Sequence, residues 1–199
     1  MSRPALTVIA GANGAGKSTL TSGNPGTFAA VPLLDSDAFA NTLRSSGTGI
    51  STIAAGKEVL GLAKEHLKQK ESFAVETTLS GKNYLQMIQY ARGIDRGFEV
   101  VLIYIGTESV EINLARIAKR VLAGGHNVPE MDVRRRYLRS LQNLPAAAEI
   151  ADRVLLFDNS NDLGYQLVGL VGRELHQWFH PLPVWAAELQ TRLSQATNG

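Results

Sequence analysis

Gly11-Ala12-Asn13-Gly14-Ala15-Gly16-Lys17-Ser18 decides how the rest of this chain is read. The stretch fits G-x-x-x-x-G-K-[ST] in full. An apolar run, Leu6–Ala10, leads into it, and Ser18-Thr19-Leu20 can open a helix, so the context is strand, loop, helix. Glycines let the backbone curl until successive N–H groups point inward at phosphate oxygens. The start of the following helix adds the positive end of its dipole. Lys17 can reach the outer phosphates as a mobile cation. The Ser18 hydroxyl is placed as a ligand for Mg²⁺, which keeps its remaining positions for water and phosphate. Gly11, Asn13, Gly14, Ala15, Gly16, Lys17, Ser18 and Thr19 are therefore the expected nucleotide-binding residues.

The rest of the composition narrows the classes. The chain has 199 residues, 44% of them hydrophobic, and its net charge is +2. That length suits one domain, spanning residues 1–199, and balanced charge with an ordinary apolar fraction excludes a disordered chain. The absence of cysteine excludes a disulfide framework, a thiolate metal site and a cysteine nucleophile. It suits a reducing compartment, so a cytoplasmic location is expected. No apolar run reaches the roughly 18 residues of a membrane helix, so no membrane partner is expected. The Met1–Ala12 stretch, with Arg3 and then apolar residues, mimics a signal peptide, but it runs into Gly11-Ala12-Asn13-Gly14 without a cleavage site and is read as a strand.

Along the chain, β-rich apolar runs alternate with amphipathic segments. The runs are Leu6–Ala10, Val31–Leu34, Ser72–Glu76, Phe98–Ile105 and Arg153–Phe157, continuous enough to be buried on both faces. Helical spacing joins Ile53, Lys57 (by its stem), Leu60, Ala63 and Leu67, then Tyr84, Met87, Ile88 and Ala91, then Val110, Leu114, Ile117 and Val121. Leu163, Leu167, Leu170, Val171, Leu175 and Trp178 predict a further, long helix. Pro181 and Pro183 precede a last helix, Val184–Leu193, expected as an appendage over residues 182–199. The alternation implies an α/β fold with a mostly parallel sheet between helices.

Three features discriminate among proteins with such a loop. Leu34-Asp35-Ser36-Asp37 ends the second run, where carboxylates face the ligand crevice of a parallel sheet. One of the two aspartates could take the proton of an attacking hydroxyl, and the other could cap the next helix; the spacing leaves the choice open. Phe73-Ala74-Val75-Glu76 is a buried run ending in an acid, the expected position of a carboxylate near Mg²⁺, with the hydrogen-bonding Thr77 and Thr78 next. Arg116 to Arg139 holds seven basic residues against two acids, a net +5 in a chain whose total is +2, so the remainder is −3. Two basic segments joined by Gly124-Gly125-His126-Asn127-Val128-Pro129 suit a closing lid over residues 116–144. Aromatic residues hardly interleave there, so nucleic acid is not the expected partner. His126 is read first as a loop-ordering hydrogen-bonder.

Residues 11–19, Asp-Ser-Asp (35–37), Glu-Thr-Thr-Leu-Ser-Gly (76–81), Arg-Val-x-x-Gly-Gly-His-x-Val-Pro (120–129), Arg-Arg-Tyr (135–137) and Phe-Asp-Asn-Ser (157–160) together resemble the zeta toxin family, in its short stand-alone bacterial branch. The resemblance spans about Leu6 to Ser160. It implies a kinase that moves a phosphoryl group from ATP to the 3′-hydroxyl of UDP-N-acetylglucosamine or a related UDP-sugar, interfering with cell-wall precursor synthesis, with a small antitoxin protein as partner. By the same resemblance Asp37 matches the catalytic base, which breaks the tie with Asp35. Glu76 and Thr77 match the region that holds the sugar nucleotide, and Asp37, Glu76, Thr77 and Thr78 are the expected substrate residues. Arg120 and one of Arg135 or Arg136 match lid arginines on the ATP phosphates.

The expected fold is a P-loop α/β three-layer sandwich of the nucleoside-monophosphate-kinase type, with sheet order 2-3-1-4-5 and a helical lid between strands 4 and 5; order and lid rest on fold analogy. The expected cofactors are ATP and Mg²⁺. Lys17, Asp37, Arg120, Arg136 and Arg135 are the expected catalytic residues, and Ser18 and Glu76 the metal-binding ones. Two other readings stay open: a kinase for another small molecule, nucleoside or polynucleotide end, and an ATP-gated interaction protein without phosphotransfer.

Overall fold

The computed structural model describes residues 3–28, 30–93 less 46–51, 97–173 and 175–197. The fold is a seven-stranded sheet with helices on both faces. In chain order it runs β1 (Ala5–Ala10), α1 (Lys17–Gly23), α2 (Pro25–Phe28), β2 (Leu33–Asp35), α3 (Ser36–Ser45), α4 (Thr52–Gln69), β3 (Phe73–Thr77), α5 (Lys82–Arg92) and β4 (Glu99–Gly106). It continues with α6 (Val110–Leu122), α7 (Glu130–Ile150), β5 (Arg153–Asp158), β6 (Gln166–Gly172), β7 (His176–Trp178) and α8 (Val184–Thr197). Signal-peptide mimicry reaches Met1 and Ser2, which lie outside the described residues.

The strands stand in the order β2-β3-β1-β4-β5-β6-β7. The first five are parallel, in the order expected from the sequence, and every residue of β3 is buried. Continuous apolar runs such as Val100–Ile105 follow from that position, since a central parallel strand has no solvent face. Side-chain alternation sends Leu6 and Val8 of β1, with Leu102 and Tyr104 of β4, to the face covered by α4, α5, α7 and α8. Ile9, Ala74 and Ile105 point the other way, toward Leu20 of α1 and Phe28 of α2.

Two expectations are corrected here. The segment from Leu163 to Trp178 is not a helix; it forms β6 and β7, which add antiparallel strands beyond β5. Its apolar residues fall at three- and four-residue steps, but Gly164, Gly169 and Gly172 interrupt it, and Leu163 and Leu175 are exposed. The glycines disfavour a helix, and at Gly169 the Trp178 ring comes within 2.9 Å of where a Cβ would sit. The last helix is not an appendage either. Trp185, Ala186, Leu189 and Leu193 of α8 are buried in the main core.

Trp185 is the anchor of that helix. Its ring lies 5.5 Å from that of Tyr104, and its Nε1 donates to Asp158 Oδ1 at 3.0 Å. Gly106 ends β4 directly beneath it, so closely that an added Cβ would meet the indole. Among the described residues no helix is long and apolar enough to cross a membrane. Trp185→Ala should destabilise the protein by about 3–5 kcal/mol in urea unfolding, through lost burial and the cavity left behind.

Candidate active site

The site lies at the C-terminal ends of the parallel strands, where the loops after β1, β2, β3 and β5 meet. The loop after β1 curls because Gly11, Gly14 and Gly16 adopt positive φ of 147°, 79° and 108°. Substitution would fail for space as well: a Cβ on Gly14 would lie 2.6 Å from the Asn113 carbonyl, and one on Gly16 2.6 Å from Asn159 Nδ2.

Three side chains from distant segments hold this loop by its carbonyls. Asn113 Nδ2 donates to the Asn13 carbonyl at 2.7 Å, Asn159 Nδ2 to that of Ala15 at 2.8 Å, and Tyr165 Oη to that of Gly16 at 2.7 Å. The Ala12 carbonyl accepts from the Ala15 amide and from Lys17 Nζ, both within 3.2 Å. The first amides of α1, which no helix can pair internally, are left at the cavity wall formed by Gly16, Lys17, Ser18 and Thr19. Asn113 is fully buried and receives a hydrogen bond from the Thr107 hydroxyl. Sequence reading missed Asn113 and Tyr165. Asn159 carried a signal only as part of Phe-Asp-Asn-Ser.

Lys17 and Glu76 are both buried, with Nζ 4.0 Å from Oε1. Glu76 is the next-to-last residue of β3, beside the loop, and Ser18 Oγ donates to its Oε1 at 2.7 Å. Its other oxygen, Oε2, is buried with no partner among the protein atoms. Burial pushes the Glu76 carboxyl above the usual carboxylate range, against the pull of Lys17; burial pushes the Lys17 ammonium down, against the pull of Glu76. Among the described residues no group of three or more His, Cys, Asp or Glu could hold a metal alone. Ser18 Oγ and the spare Glu76 oxygen instead suit a hard divalent cation that arrives with phosphate and completes its shell with water.

The two aspartates at the end of β2 and the start of α3 differ in their surroundings. Asp35 Oδ1 accepts the Asp37 amide at 2.8 Å, which caps α3, and burial raises its pKa. Asp37, in the first turn of α3, is exposed toward the cavities.

Two cavities flank this point. One, of about 550 Å³, is lined by the loop, Arg116, Arg120, Asn159 and Tyr165. The other, of about 620 Å³, is lined by Lys57, Thr77, Thr78, Tyr84, Arg135 and Arg136, among others. Lys17, Asp37 and Glu76 line both.

The arginines do different things. Arg136 reaches the loop and donates to Asn13 Oδ1 at 3.1 Å. Arg120 donates to the His126 carbonyl and so closes the Gly-rich turn while facing the first cavity. Arg116 donates to the Asn159 carbonyl at 2.7 Å. Arg135 pairs with Asp132 at 2.7 Å, and Arg134 with Glu111 and Glu130. Ile117, Val128 and Val133 pack the two helices of the segment together.

No family model matches the chain. Over 127 residues, 64% of this chain and 88% of the relative, it is 42% identical to an uncharacterized protein of Haemophilus influenzae. A crystal structure of AvrRxo1-ORF1:-ORF2 with ATP matches 96% of this chain with a TM-score of 0.70 and 19% identity. The present chain spans 64% of that one, less than two thirds of its length. A structure of the PezAT chromosomal toxin-antitoxin system of Streptococcus pneumoniae matches 100% of this chain and 89% of its own, with a TM-score of 0.60 and 18% identity. Both structural likenesses are likenesses of fold.

The Glu76 shift has a measurable sign. Its folded pKa is raised, so its contribution to stability is greatest below the unfolded value and is lost as pH rises through the folded value. Unfolding free energy of the ligand-free protein, followed from about pH 4 to about pH 8, should therefore fall relative to that of Glu76→Gln as the pH rises. A constant difference between the two would contradict the buried, ionising carboxyl.

Proposed function

We propose, for a chain that belongs to one family with the Haemophilus influenzae protein and has the zeta-toxin-like P-loop kinase fold, ATP-dependent transfer of a phosphoryl group to a hydroxyl of a small molecule. The finer form of the proposal is a UDP-sugar acceptor such as UDP-N-acetylglucosamine, with a small antitoxin protein as partner. The observation that carries the reading is the junction of two cavities at Lys17, Asp37 and Glu76. A triphosphate bound to the loop on one side and a hydroxyl compound on the other would meet there, which is the geometry that in-line transfer needs.

The residues then divide the work. The loop amides and Lys17 hold the outer phosphates and offset their charge. Ser18 and Glu76 would hold Mg²⁺, which when bound neutralises phosphate charge. Asp37 orients the acceptor hydroxyl and takes its proton on the carboxylate as the new oxygen–phosphorus bond forms and ADP leaves. Thr77 and Thr78 supply hydrogen bonds to the acceptor. Arg120 and Arg136, or Arg135 once freed from Asp132, stabilise the charge on the transferring group.

Asp37→Asn should lower turnover by at least about 100-fold, the scale of a lost general base, while ATP binding stays within a few-fold. Turnover at wild-type level in Asp37→Asn, with a dead Asp35→Asn, would assign the base to Asp35. Lys17→Ala should lose both ATP affinity and rate. The direct test is mass spectrometry after incubation with ATP, Mg²⁺ and a panel of UDP-sugars and nucleosides. A phosphate mass gain on a UDP-sugar is expected. Gain on a nucleoside alone would keep the transferase and overturn the UDP-sugar; ATP binding with no gain on any acceptor would favour a nucleotide-gated interaction protein.

A further inference from the structure

Tyr165 immediately precedes β6, the first strand of the antiparallel extension, and is 149 residues from the glycine it holds. Its hydroxyl donates to the Gly16 carbonyl at 2.7 Å. Gly16 caps α1, and the space beside it belongs to the phenol: a Cβ there would lie 2.9 Å from Tyr165 Oη. The ring packs against the buried cluster of Ile9, Ala15, Ala74 and Ile105, so its direction is set by the core. Burial raises the phenol's pKa, which keeps it a donor.

The peptide group is planar, so a carbonyl and the next residue's amide form one rigid unit and point in opposite directions. The bond to the Gly16 carbonyl therefore also sets where the Lys17 amide points. Asn159 does the same for the Gly16 amide, and Asn113 for that of Gly14. These amides are the ones a phosphate-binding loop must aim. Without Tyr165, the Gly16 carbonyl would keep, among the described residues, the Leu20 amide at 3.0 Å, a bond along the helix that leaves the plane freer to tilt.

We infer that Tyr165 is a positioning residue of the nucleotide site, whose hydroxyl aims the Lys17 amide at the polyphosphate by holding the Gly16 carbonyl. The inference rests on the nucleotide-binding part of the proposed function and not on the acceptor.

Tyr165→Phe removes the hydroxyl and keeps the ring. Calorimetric titration with Mg-ATP and with inorganic tripolyphosphate should show both bound about fivefold to tenfold more weakly, the worth of one net hydrogen bond. Val168→Ala, a core change in β6 away from the loop, serves as the control for mere loss of stability. It should lower the thermal midpoint at least as far as Tyr165→Phe and keep wild-type affinity for both ligands. Affinity of Tyr165→Phe within twofold of wild type would overturn the inference. So would a loss confined to ATP and absent with tripolyphosphate, which would make Tyr165 a wall for the nucleoside. Equal weakening in Val168→Ala would also overturn it. A wild-type chain that binds neither ligand would overturn the nucleotide site itself, and this inference with it.

Discussion

A backbone segment that reserves its amides for a ligand must satisfy its carbonyls elsewhere, because an unpaired buried carbonyl costs about as much as a lost hydrogen bond. In this chain the donors are Asn113 from α6, Asn159 from the loop after β5, and Tyr165 just before β6. Each sits on an element that is itself anchored. Asn113 is fixed by Thr107, and Thr107 in turn accepts Tyr137 Oη of α7 at its carbonyl. Asp158, next to Asn159, accepts the Trp185 indole N–H and the Ser160 hydroxyl. The curled loop is thus the point on which sheet, antiparallel extension and C-terminal helix all converge.

The same arrangement keeps opposite charges close and largely buried. Lys17 and Glu76 share a buried corner in which each has been pushed toward its neutral form. Such a pair is costly in isolation and becomes useful when a ligand brings more charge to it. A triphosphate would add negative charge beside Lys17, and a divalent cation would add positive charge beside the spare Glu76 oxygen. Stability and binding are therefore opposed at this corner.

Local features were legible in the sequence wherever chemistry and spacing coincide. The loop from Gly11 to Ser18, the acid near the end of β3 and the five parallel runs could be read from motif and hydrophobic run, while the order of those strands came from fold analogy. The pairing of Asp35 and Asp37 could not be split by spacing, because cap and base ask for the same residue type at the same sheet edge. The antiparallel extension carries a misleading helical stripe at Leu163, Leu167, Leu170 and Val171, against which only Gly164, Gly169 and Gly172 speak. Asn113 and Tyr165 left no local signal, since what they touch lies 100 and 149 residues away. The arginine-rich segment was legible as a group, but which arginine meets the loop depends on how α6 and α7 pack.

The distance between the loop and its braces has a consequence for synthesis of the chain. The first strand and its loop leave the ribosome early, while Asn159 and Tyr165 follow 144 and 149 residues after the positions they hold. Trp185, which secures Asp158, comes later still. A nascent chain accordingly carries the whole nucleotide motif long before it carries the means to shape it. The loop gains two of its three braces, Asn159 and Tyr165, only late in synthesis.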